Sequence, residues 1–423
     1  MKEIVNILLL GSGGREAALA WKISASPRLG RLYVAPGNAS GFGEKAELDP
    51  MDFDAVREFV ESHSVDMIVV GPEAPLVAGI ADAFEGSDVK VIGPSAAGAR
   101  LEGSKEFAKE FMFRNLIPTA RFMTVTQDTL NEGVDFLESL EPPYVLKADG
   151  LAGGKGVIIT SSLPDAKDTL AEMLDGKFGD ASSTVVIEEF LQGIECSVFM
   201  AVDGEDFVFL PVAKDYKRIG EGDTGPNTGG MGAVTPLPFA DEEFMDKVRK
   251  RIAEPTVRGL REEGMPYSGF IFLGLMNCGG EPYVIEYNCR LGDPETEVVI
   301  PMIESDIIDL LEGIADTTLA IKKVETRSGA AATVILASEG YPGPCRKGCP
   351  ISAGDTGDAI LFYAGAKPGA DGNPVTSGGR VMAVTAFGED LAQAVEKAMS
   401  AAENISFEGK YFRRDIGRDI LER

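Results

Sequence analysis

Short apolar runs alternate with amphipathic segments over the first hundred residues of the chain. The runs predict strands at Ile4–Leu10, Arg31–Ala35, Met67–Val70 and Val89–Ile92. The amphipathic segments predict helices between them, including Arg15–Ser24, Asp54–Ser62 and Ala78–Phe84. Strands and helices in this order are typical of an open, mainly parallel α/β sheet.

Each of these predicted strands ends in a turn that contains glycine or proline, at residues 11–14, 36–38, 71–75 and 93–94. Ligands of open α/β sheets bind in the crevice at the carboxyl ends of the strands. We therefore expect the four turns to converge on one crevice.

Two further apolar runs, Pro143–Leu146 and Val157–Thr160, predict a β-hairpin around a glycine-rich segment. This segment, the phosphate loop (residues 147–156), has glycines at 150, 153, 154 and 156, which allow backbone N–H groups to approach an anion closely. Lys147 and Lys155 add positive charge. The spacing is not that of a P-loop, which also opens a helix. A surface turn without a ligand is the alternative.

The patterns divide the chain into three predicted domains with α/β and α+β folds. Residues 1–103 form the open parallel α/β domain, and residues 104–325 form a larger unit that carries the phosphate loop. Residues 326–423 are expected to form a separate, small α+β domain. Its strands are predicted at Ala330–Ala337, Ala359–Ala364 and Val381–Ala386, and its helix at Leu391–Ala402.

Composition and charge narrow the possible functions. The 423 residues are 44% hydrophobic and 25% charged, as in an ordinary globular protein, and no apolar run is long enough to span a membrane. The net charge of −27 disfavours nucleic-acid binding, because a phosphate backbone would be repelled. The five cysteines complete no zinc site, so we expect reduced thiols and a cytoplasmic protein. The single histidine, His63, is predicted to be solvated, which leaves carboxylates, lysines, arginines and hard metal ions for catalysis.

The turn Gly11-Ser-Gly-Gly-Arg-Glu16 precedes the first predicted helix. Glu16 stands where the dinucleotide-binding pattern Gly-x-Gly-x-x-Gly requires glycine. Free N–H groups at the helix N-terminus, with Arg15 as a bidentate clamp, would suit a single phosphate group. A monophosphate site is the favoured interpretation, and a plain strand–helix turn and an NAD site are the alternatives.

Two predicted strands offer groups for a nucleotide and a metal ion. Val185–Leu191, followed by Glu195, could present backbone groups to an adenine edge and a carboxylate to ribose, or it is an edge strand with solvated acids. Tyr283–Asn288 places Glu286 and Asn288 on one face, and such paired oxygen ligands suit Mg²⁺ bridging ATP phosphates. The alternative is a half-exposed polar strand face.

A third segment, Lys214–Arg218 followed by Asp223–Gly232, combines charged side chains with many glycine and proline residues. Long glycine-rich loops inside domains are usually functional or disordered. The mixture of charges is suited to binding a small zwitterion and phosphates.

Together these segments resemble the ATP-grasp superfamily and, within it, the phosphoribosylamine–glycine ligase family. The resemblance spans nearly the whole chain, in the order of the family, at residues 11–20, 70–79, 101–105, 147–156, 188–195, 214–232, 286–296, 378–380 and 414–417. It implies a phosphoribosylamine-binding N-terminal domain, a two-lobed ATP-grasp unit with its smaller lobe at about 120–190, and a C-terminal domain. It also implies a monomer that converts ATP, glycine and 5-phosphoribosylamine to glycinamide ribonucleotide, ADP and phosphate in de novo purine synthesis.

The resemblance further implies roles for individual residues. ATP would be bound by Lys105, Lys147, Gly153, Gly154, Lys155, Gly156, Glu188, Glu189, Leu191 and Glu195, and Mg²⁺ or Mn²⁺ by Glu286 and Asn288. The catalytic residues would be Arg290, Asp215 and Lys217, with Asp215 directed toward the ammonium group of glycine. Substrate would be bound by Gly13, Gly14, Arg15, Glu16, Gly37, Asn38, Glu73, Asp293 and Glu295.

The chain departs from the usual residues of the family at three positions. Ala17 and Tyr216 replace common histidines, and Gly154 replaces a frequent alanine. The first two changes are expected to remove imidazoles from near the substrate crevice, with activity retained. A carboxylating or formate-using ligase is the nearest alternative within the superfamily, and the Asp223–Gly232 loop and Gly274 argue against it.

Overall fold

A computed structural model of the chain describes residues 3–150 and 156–422. Within these two ranges no helix has both the length and the apolar character that a membrane span requires. The predicted ATP-binding residues Gly153, Gly154 and Lys155 lie outside the described residues.

The N-terminal part is a five-stranded, wholly parallel sheet in the order β3-β2-β1-β4-β5. Its strands are β1 Val5–Gly11, β2 Leu29–Pro36, β3 Glu44–Lys45, β4 Met67–Val70 and β5 Lys90–Ile92. Its helices are α1 Gly14–Ser24, α2 Phe53–Ser62, α3 Glu73–Val77, α4 Ile80–Ala83 and α5 Ala96–Gly103. The predicted parallel sheet is confirmed. The helix predicted at Ala78–Phe84 is confirmed as the shorter α4, which begins only after Gly79, whose φ of +89° separates it from α3.

A smaller lobe follows, with an antiparallel sheet in the order β6-β9-β7-β8. Its strands are β6 Phe122–Val125, β7 Tyr144–Ala148, β8 Val157–Thr160 and β9 Val185–Glu189. Its helices are α6 Lys105–Arg114, α7 Leu130–Glu138 and α8 Leu163–Glu172. Strands β7 and β8 pair from Tyr144 opposite Thr160 to Lys147 opposite Val157, so the hairpin predicted around the phosphate loop is confirmed.

A larger lobe is built on an antiparallel sheet in the order β11-β10-β16-β17. The strands of this part of the chain are β10 Ile194–Val202, β11 Phe207–Phe209, β12 Lys214–Asp215, β13 Arg218–Gly220, β14 Thr224–Asn227, β15 Gly232–Thr235, β16 Gly269–Cys278 and β17 Glu281–Asn288. The helices are α9 Glu242–Val248, α10 Glu254–Glu262, α11 Thr296–Met302 and α12 Ile307–Ala315. Strands β13 and β14 form a small separate hairpin inside the glycine-rich segment.

The C-terminal part shares its main sheet with the larger lobe, in the order β12-β15-β18-β23-β20. Its strands are β18 Ala330–Ala337, β19 Ser352–Ala353, β20 Ile360–Tyr363, β21 Ala366–Pro368, β22 Pro374–Thr376, β23 Arg380–Gly388 and β24 Ile405–Ser406. Its helices are α13 Leu391–Glu403 and α14 Arg418–Leu421. Strand β18 is buried along its whole length and needs a partner on each side, and β15 is one of them. The predicted C-terminal α+β part is confirmed, and its main sheet is extended by β12 and β15 of the larger lobe, which flank the Asp223–Gly232 loop.

The five cysteines are all unpaired, as predicted. His63 is exposed at the end of α2 and stacks on Phe59, with 3.9 Å between ring centroids. The prediction of a solvated histidine is therefore confirmed.

Candidate active site

The buried carboxylate of Glu188 lies between Lys109 and Lys147, and Lys147 is the first residue of the phosphate loop. Glu188, on β9, is 3% exposed, and its two oxygens lie 2.7 Å from Nζ of Lys147 and 2.8 Å from Nζ of Lys109. Burial opposes ionisation of Glu188, but the two lysines outweigh it and lower its pKa. Burial lowers the pKa of Lys109 to about 8. Glu188 is therefore held as a carboxylate that fixes Lys147 in place.

Lys105 lies at the entry to the phosphate loop. It begins α6, and its Nζ donates to the carbonyls of Asp149 and Gly150 at 3.4 and 3.3 Å. The hydroxyl of Ser104 and the N–H of Glu106 donate to the Asp149 carboxylate at 3.0 and 2.7 Å. The start of α6 and the start of the loop are thus tied together, with the predicted phosphate-binding lysine between them.

The predicted adenine edge, at the end of β9, is partly engaged within the chain. The Glu189 carboxylate accepts from the N–H and Nε of Arg121 at 2.9 and 2.8 Å, and the Glu189 N–H donates to the Arg121 carbonyl at 3.0 Å. Leu191 follows beyond the last residue of β9.

The predicted metal pair lies at the end of β17. Glu286 and Asn288 are both partly buried. Burial opposes ionisation of Glu286, but Lys217, Lys147, Lys105 and Arg290 together lower its pKa, so it is a carboxylate at neutral pH.

These donors fit Mg²⁺. A carboxylate oxygen and an amide oxygen are hard ligands, and Mg²⁺ is usually bound through one or two carboxylates with substrate phosphates and waters completing the octahedron. Over the described part of the chain, no group of three or more His, Cys, Asp or Glu side chains could hold a metal ion without such help. The four surrounding cations would act on the same phosphates.

Asp215 and Lys217 line a small cavity together with Glu195 and Glu286. Nζ of Lys217 lies 3.3 Å from a carboxylate oxygen of Glu195. Asp215 and Glu195 raise the pKa of Lys217 well above its usual value, and burial raises the pKa of Asp215 against the attraction of Lys217. A cavity with opposite charges at close range is suited to a small zwitterion.

Arg290 joins β17 to the N-terminal domain. Its Nη2 lies 2.8 Å from Oε1 of Glu102, and its Nε lies 3.6 Å from Oε2 of Glu73. Glu102 also accepts from the N–H of Cys289 at 2.7 Å. No role was predicted for Glu102, although it stands in the segment 101–105 that carries the family resemblance.

The N-terminus of α1 is occupied by carboxylates of the chain itself. The N–H of Gly13 donates to Oε2 of Glu16 at 2.6 Å, and the N–H of Arg15 donates to Asp293 at 3.4 Å. The guanidinium of Arg15 binds Oε1 of Glu16 at 2.6 Å and the carbonyl of Leu291 at 3.1 Å. The expectation of free N–H groups and a free arginine clamp is corrected. A phosphate would have to displace these bonds.

Three of the four glycine- or proline-containing turns are brought together. The N–H of Gly37 donates to the Gly11 carbonyl at 3.1 Å, and Nδ2 of Asn38 donates to the carbonyl of Ser12 at 2.9 Å. The N–H of Gly71 donates to the Leu10 carbonyl at 3.0 Å, which brings the turn at 71–75 beside the first. The turn at 93–94 instead bonds to the larger lobe, where the N–H of Gly93 donates to the Ser268 carbonyl.

Partly buried Asp293 and fully buried Glu297 form an acidic pair beside Arg380 of the C-terminal part. Nη1 of Arg380 lies 2.9 Å from Oδ1 of Asp293 and donates to the carbonyl of Gly229 at 2.8 Å. Burial opposes ionisation of Asp293, but Arg380 and Arg15 lower its pKa. Burial and the nearby Asp293 raise the pKa of Glu297 well above its usual range, against the attraction of Arg380. No role was predicted for Glu297, and Arg380 entered the predictions only as part of the segment 378–380.

Glu295, 3% exposed, accepts from the Ser197 hydroxyl at 3.0 Å. Burial and the nearby Asp215 raise its pKa from 4.5 to about 7. The folded chain therefore binds this proton more tightly than the unfolded chain does. The resulting stabilisation is full below pH 4.5 and is lost as the pH rises through 7.

As the pH rises from about 5 to about 8, the free energy of unfolding of the Glu295→Gln chain should increase relative to that of the parent chain by on the order of 1–3 kcal/mol. The glutamine carries no charge to bury at either pH. Urea unfolding of both chains at the two pH values measures the difference. Parallel pH dependences would contradict the assignment.

Ala17 and Tyr216, which were expected near the substrate crevice in place of histidines, are both buried within the chain. Ala17 packs in an apolar cluster with Ile335, Phe362 and Ala383. The Tyr216 hydroxyl donates to Oδ1 of Asp419 at 2.6 Å, and the ring is 2% exposed. The expectation that these changes alter the substrate crevice is therefore corrected.

Comparison with known proteins gives a consistent match along the chain. Residues 5–102 match the N domain of phosphoribosylglycinamide synthetase, residues 103–296 its ATP-grasp (A) domain, and residues 331–419 its C domain. A phosphoribosylamine–glycine ligase from Pasteurella multocida (strain Pm70) is 43% identical, with 99% of each chain covered. One from Rhizobium meliloti (strain 1021) is 46% identical, with 98% of each covered.

Solved structures agree with this match. The phosphoribosylamine–glycine ligase of Thermotoga maritima superposes with a TM-score of 0.84 at 37% identity, covering 97% of this chain and 100% of that one. The biotin carboxylase domain of a 2-oxoglutarate carboxylase from Hydrogenobacter thermophilus, solved with MgADP, gives a TM-score of 0.73 at 16% identity, covering 100% and 95%, and shows the shared fold alone. The chain belongs to the phosphoribosylglycinamide synthetase family.

Proposed function

We propose that the chain is an ATP-dependent ligase that joins glycine to 5-phospho-D-ribosylamine, giving glycinamide ribonucleotide, ADP and phosphate in de novo purine (IMP) biosynthesis. The observation that carries the proposal is the convergence of Glu286 with Lys105, Lys147, Lys217 and Arg290 at the end of β17. Full-length similarity to phosphoribosylamine–glycine ligases supports the choice of substrates.

The reaction has two steps in this proposal. A carboxylate oxygen of glycine attacks the γ-phosphorus of ATP, the bond to the β–γ bridging oxygen breaks, and ADP leaves. The amine nitrogen of phosphoribosylamine then attacks the carbonyl carbon of glycyl phosphate, loses a proton, and expels phosphate. Both steps depend on positioning and on neutralising phosphate charge, for which the chain needs no histidine.

The residues have distinct tasks. Lys105 and Lys147 bind ATP phosphates, and Glu286 and Asn288 would hold Mg²⁺ or Mn²⁺, which when bound would supply positive charge next to those phosphates. Asp215 receives the ammonium group of glycine while Arg290 faces its carboxylate.

Phosphoribosylamine is assigned to the turns 11–16 and 36–38 with Glu73, Asp293 and Glu295. Binding of its phosphate there requires rearrangement of the Glu16 and Arg15 bonds. We assign the chain to the cytoplasm as a monomer.

An isotope experiment tests the proposed intermediate. Glycine labelled with ¹⁸O in its carboxylate should transfer one labelled oxygen to the released phosphate, because that oxygen attacks ATP and leaves with phosphorus. Phosphate mass after a single turnover measures the transfer. Unlabelled phosphate formed alongside glycinamide ribonucleotide would refute the glycyl phosphate route.

A further inference from the structure

The segment from Lys214 to Lys217 presents two different faces. Asp215 and Lys217 face the cavity that Glu195 and Glu286 line. Lys214 and Tyr216 face the other way, and Nζ of Lys214 lies 3.9 Å from the centre of the Tyr216 ring. This alternation is the period of extended backbone. Whatever holds Lys214 and Tyr216 therefore sets where Asp215 and Lys217 stand.

The group that holds them is Asp419, at the start of α14. The Tyr216 hydroxyl donates to Oδ1 of Asp419 at 2.6 Å, and Nζ of Lys214 lies 3.2 Å from Oδ2. Lys214 and Tyr216 are both buried. One carboxylate near the C-terminus thus bonds to both side chains on the back of the segment.

A second anchor lies at Arg413, whose side chain is 1% exposed although it bonds to an exposed hairpin. Its Nη1 donates to the carbonyl of Arg218 on β13 at 3.0 Å and to the Asp223 carboxylate at 2.7 Å. Asp223 is at the hairpin turn with φ of +52°, a conformation that non-glycine residues rarely adopt. Asp415 holds the guanidinium from the other side through two bonds of 2.8 and 2.7 Å.

Further bonds run between the same two segments. Asp415 accepts from the N–H of Gly222 at 2.7 Å, and the Tyr411 hydroxyl donates to the Ile219 carbonyl at 2.8 Å. The backbone of Tyr411 is itself paired with Ala337 of β18, at 2.8 and 2.9 Å. The contacts are therefore fixed to the central sheet of the C-terminal part.

We propose that residues 411–419, the C-terminal strap, position the Asp215–Lys217 site, with Arg413 and Asp419 as its two positioning residues. The inference rests on the proposed function in taking that site as the one for glycine. Asp419 binds Lys214 and Tyr216 on the side of the segment that faces away from the site. Arg413 binds the β13–β14 hairpin that follows the segment. Neither residue lines the cavity of that site.

The test compares Arg413→Lys and Asp419→Asn with two controls on neighbouring residues. Arg414 bonds to the hairpin only through its N–H, and its side chain is 58% exposed. Arg418 pairs with Glu422 on the surface. Arg414→Lys and Arg418→Gln therefore alter charged side chains of the strap and leave Arg413 and Asp419 unchanged.

Steady-state kinetics and hydrogen–deuterium exchange are measured on all four variants. We expect the anchor variants to raise KM for glycine roughly three- to thirty-fold, the range for residues that couple to a site without touching its ligand. KM for ATP should stay within about twofold, and amides of residues 214–227 should exchange faster than in the controls.

Two outcomes overturn the proposal. One is glycine KM and exchange rates equal to those of the controls. The other is an equal loss in every kinetic parameter with a lowered melting temperature, which marks a purely structural role. If the parent chain shows no glycine-dependent turnover, the proposed function fails, and the exchange measurement alone decides whether the strap positions the segment.

Discussion

Replacement of Glu286 by glutamine is expected to lower kcat by at least about 10²- to 10³-fold, comparable to removal of a group that stabilises transition-state charge. Glu286 is the carboxylate of the proposed metal pair, and its pKa is lowered by the cations that surround it. Without that charge the metal ion loses its ionic ligand and the lysines lose their counter-charge. Phosphate release measured over a Mg²⁺ titration checks the prediction, and excess Mg²⁺ should not restore the rate.

Glu281→Gln is the matched control, since Glu281 lies on the same strand. Its carboxylate is 44% exposed and pairs with Lys247 at 3.0 Å and with Arg251, away from the cleft. That variant should keep the kcat of the parent chain. A Glu286→Gln enzyme with near-normal turnover would contradict the metal assignment.

Replacement of Glu188 by leucine is expected to reduce the free energy of unfolding by about 3–5 kcal/mol, the usual cost of removing one partner from a buried ion pair. Lys109 and Lys147 are 2% and 5% exposed, so both charges would remain buried without their carboxylate. Urea unfolding measures the loss.

The double variant Glu188→Leu with Lys109→Met should recover part of this stability, because it removes one of the two uncompensated charges. Glu189→Gln is the control on the next residue, where the side chain is partly exposed and pairs with Arg121. Its effect should stay within about 1 kcal/mol. A Glu188→Leu chain as stable as its parent would show that the lysines are not charged in the folded state.

The sequence predicted those features that depend on local patterns. The parallel sheet and the hairpin of β7 and β8 follow from apolar runs and turn residues, and the structure confirms both. The prediction for the N-terminus of α1 missed one local pattern. Glu16 stands three residues after Gly13, the spacing of a capping box, and this spacing predicts that its carboxylate binds the Gly13 N–H.

Features that depend on pairing between distant side chains were not predictable from one sequence. Arg121 bonds to Glu189, 68 residues away, and Arg380 bonds to Gly229, 151 residues away. No local periodicity encodes such pairs, because they depend on how the sheets are packed. The orientation of Tyr216 was not predictable for the same reason, because its partner Asp419 lies 203 residues further along the chain.

Phosphate release from ATP, measured with each candidate acceptor, tests whether the chain is a glycine- and phosphoribosylamine-dependent ligase. We expect release that requires both glycine and 5-phosphoribosylamine, with glycinamide ribonucleotide formed in equal amount. Release that proceeds with bicarbonate or formate in place of glycine, or without phosphoribosylamine, would contradict it.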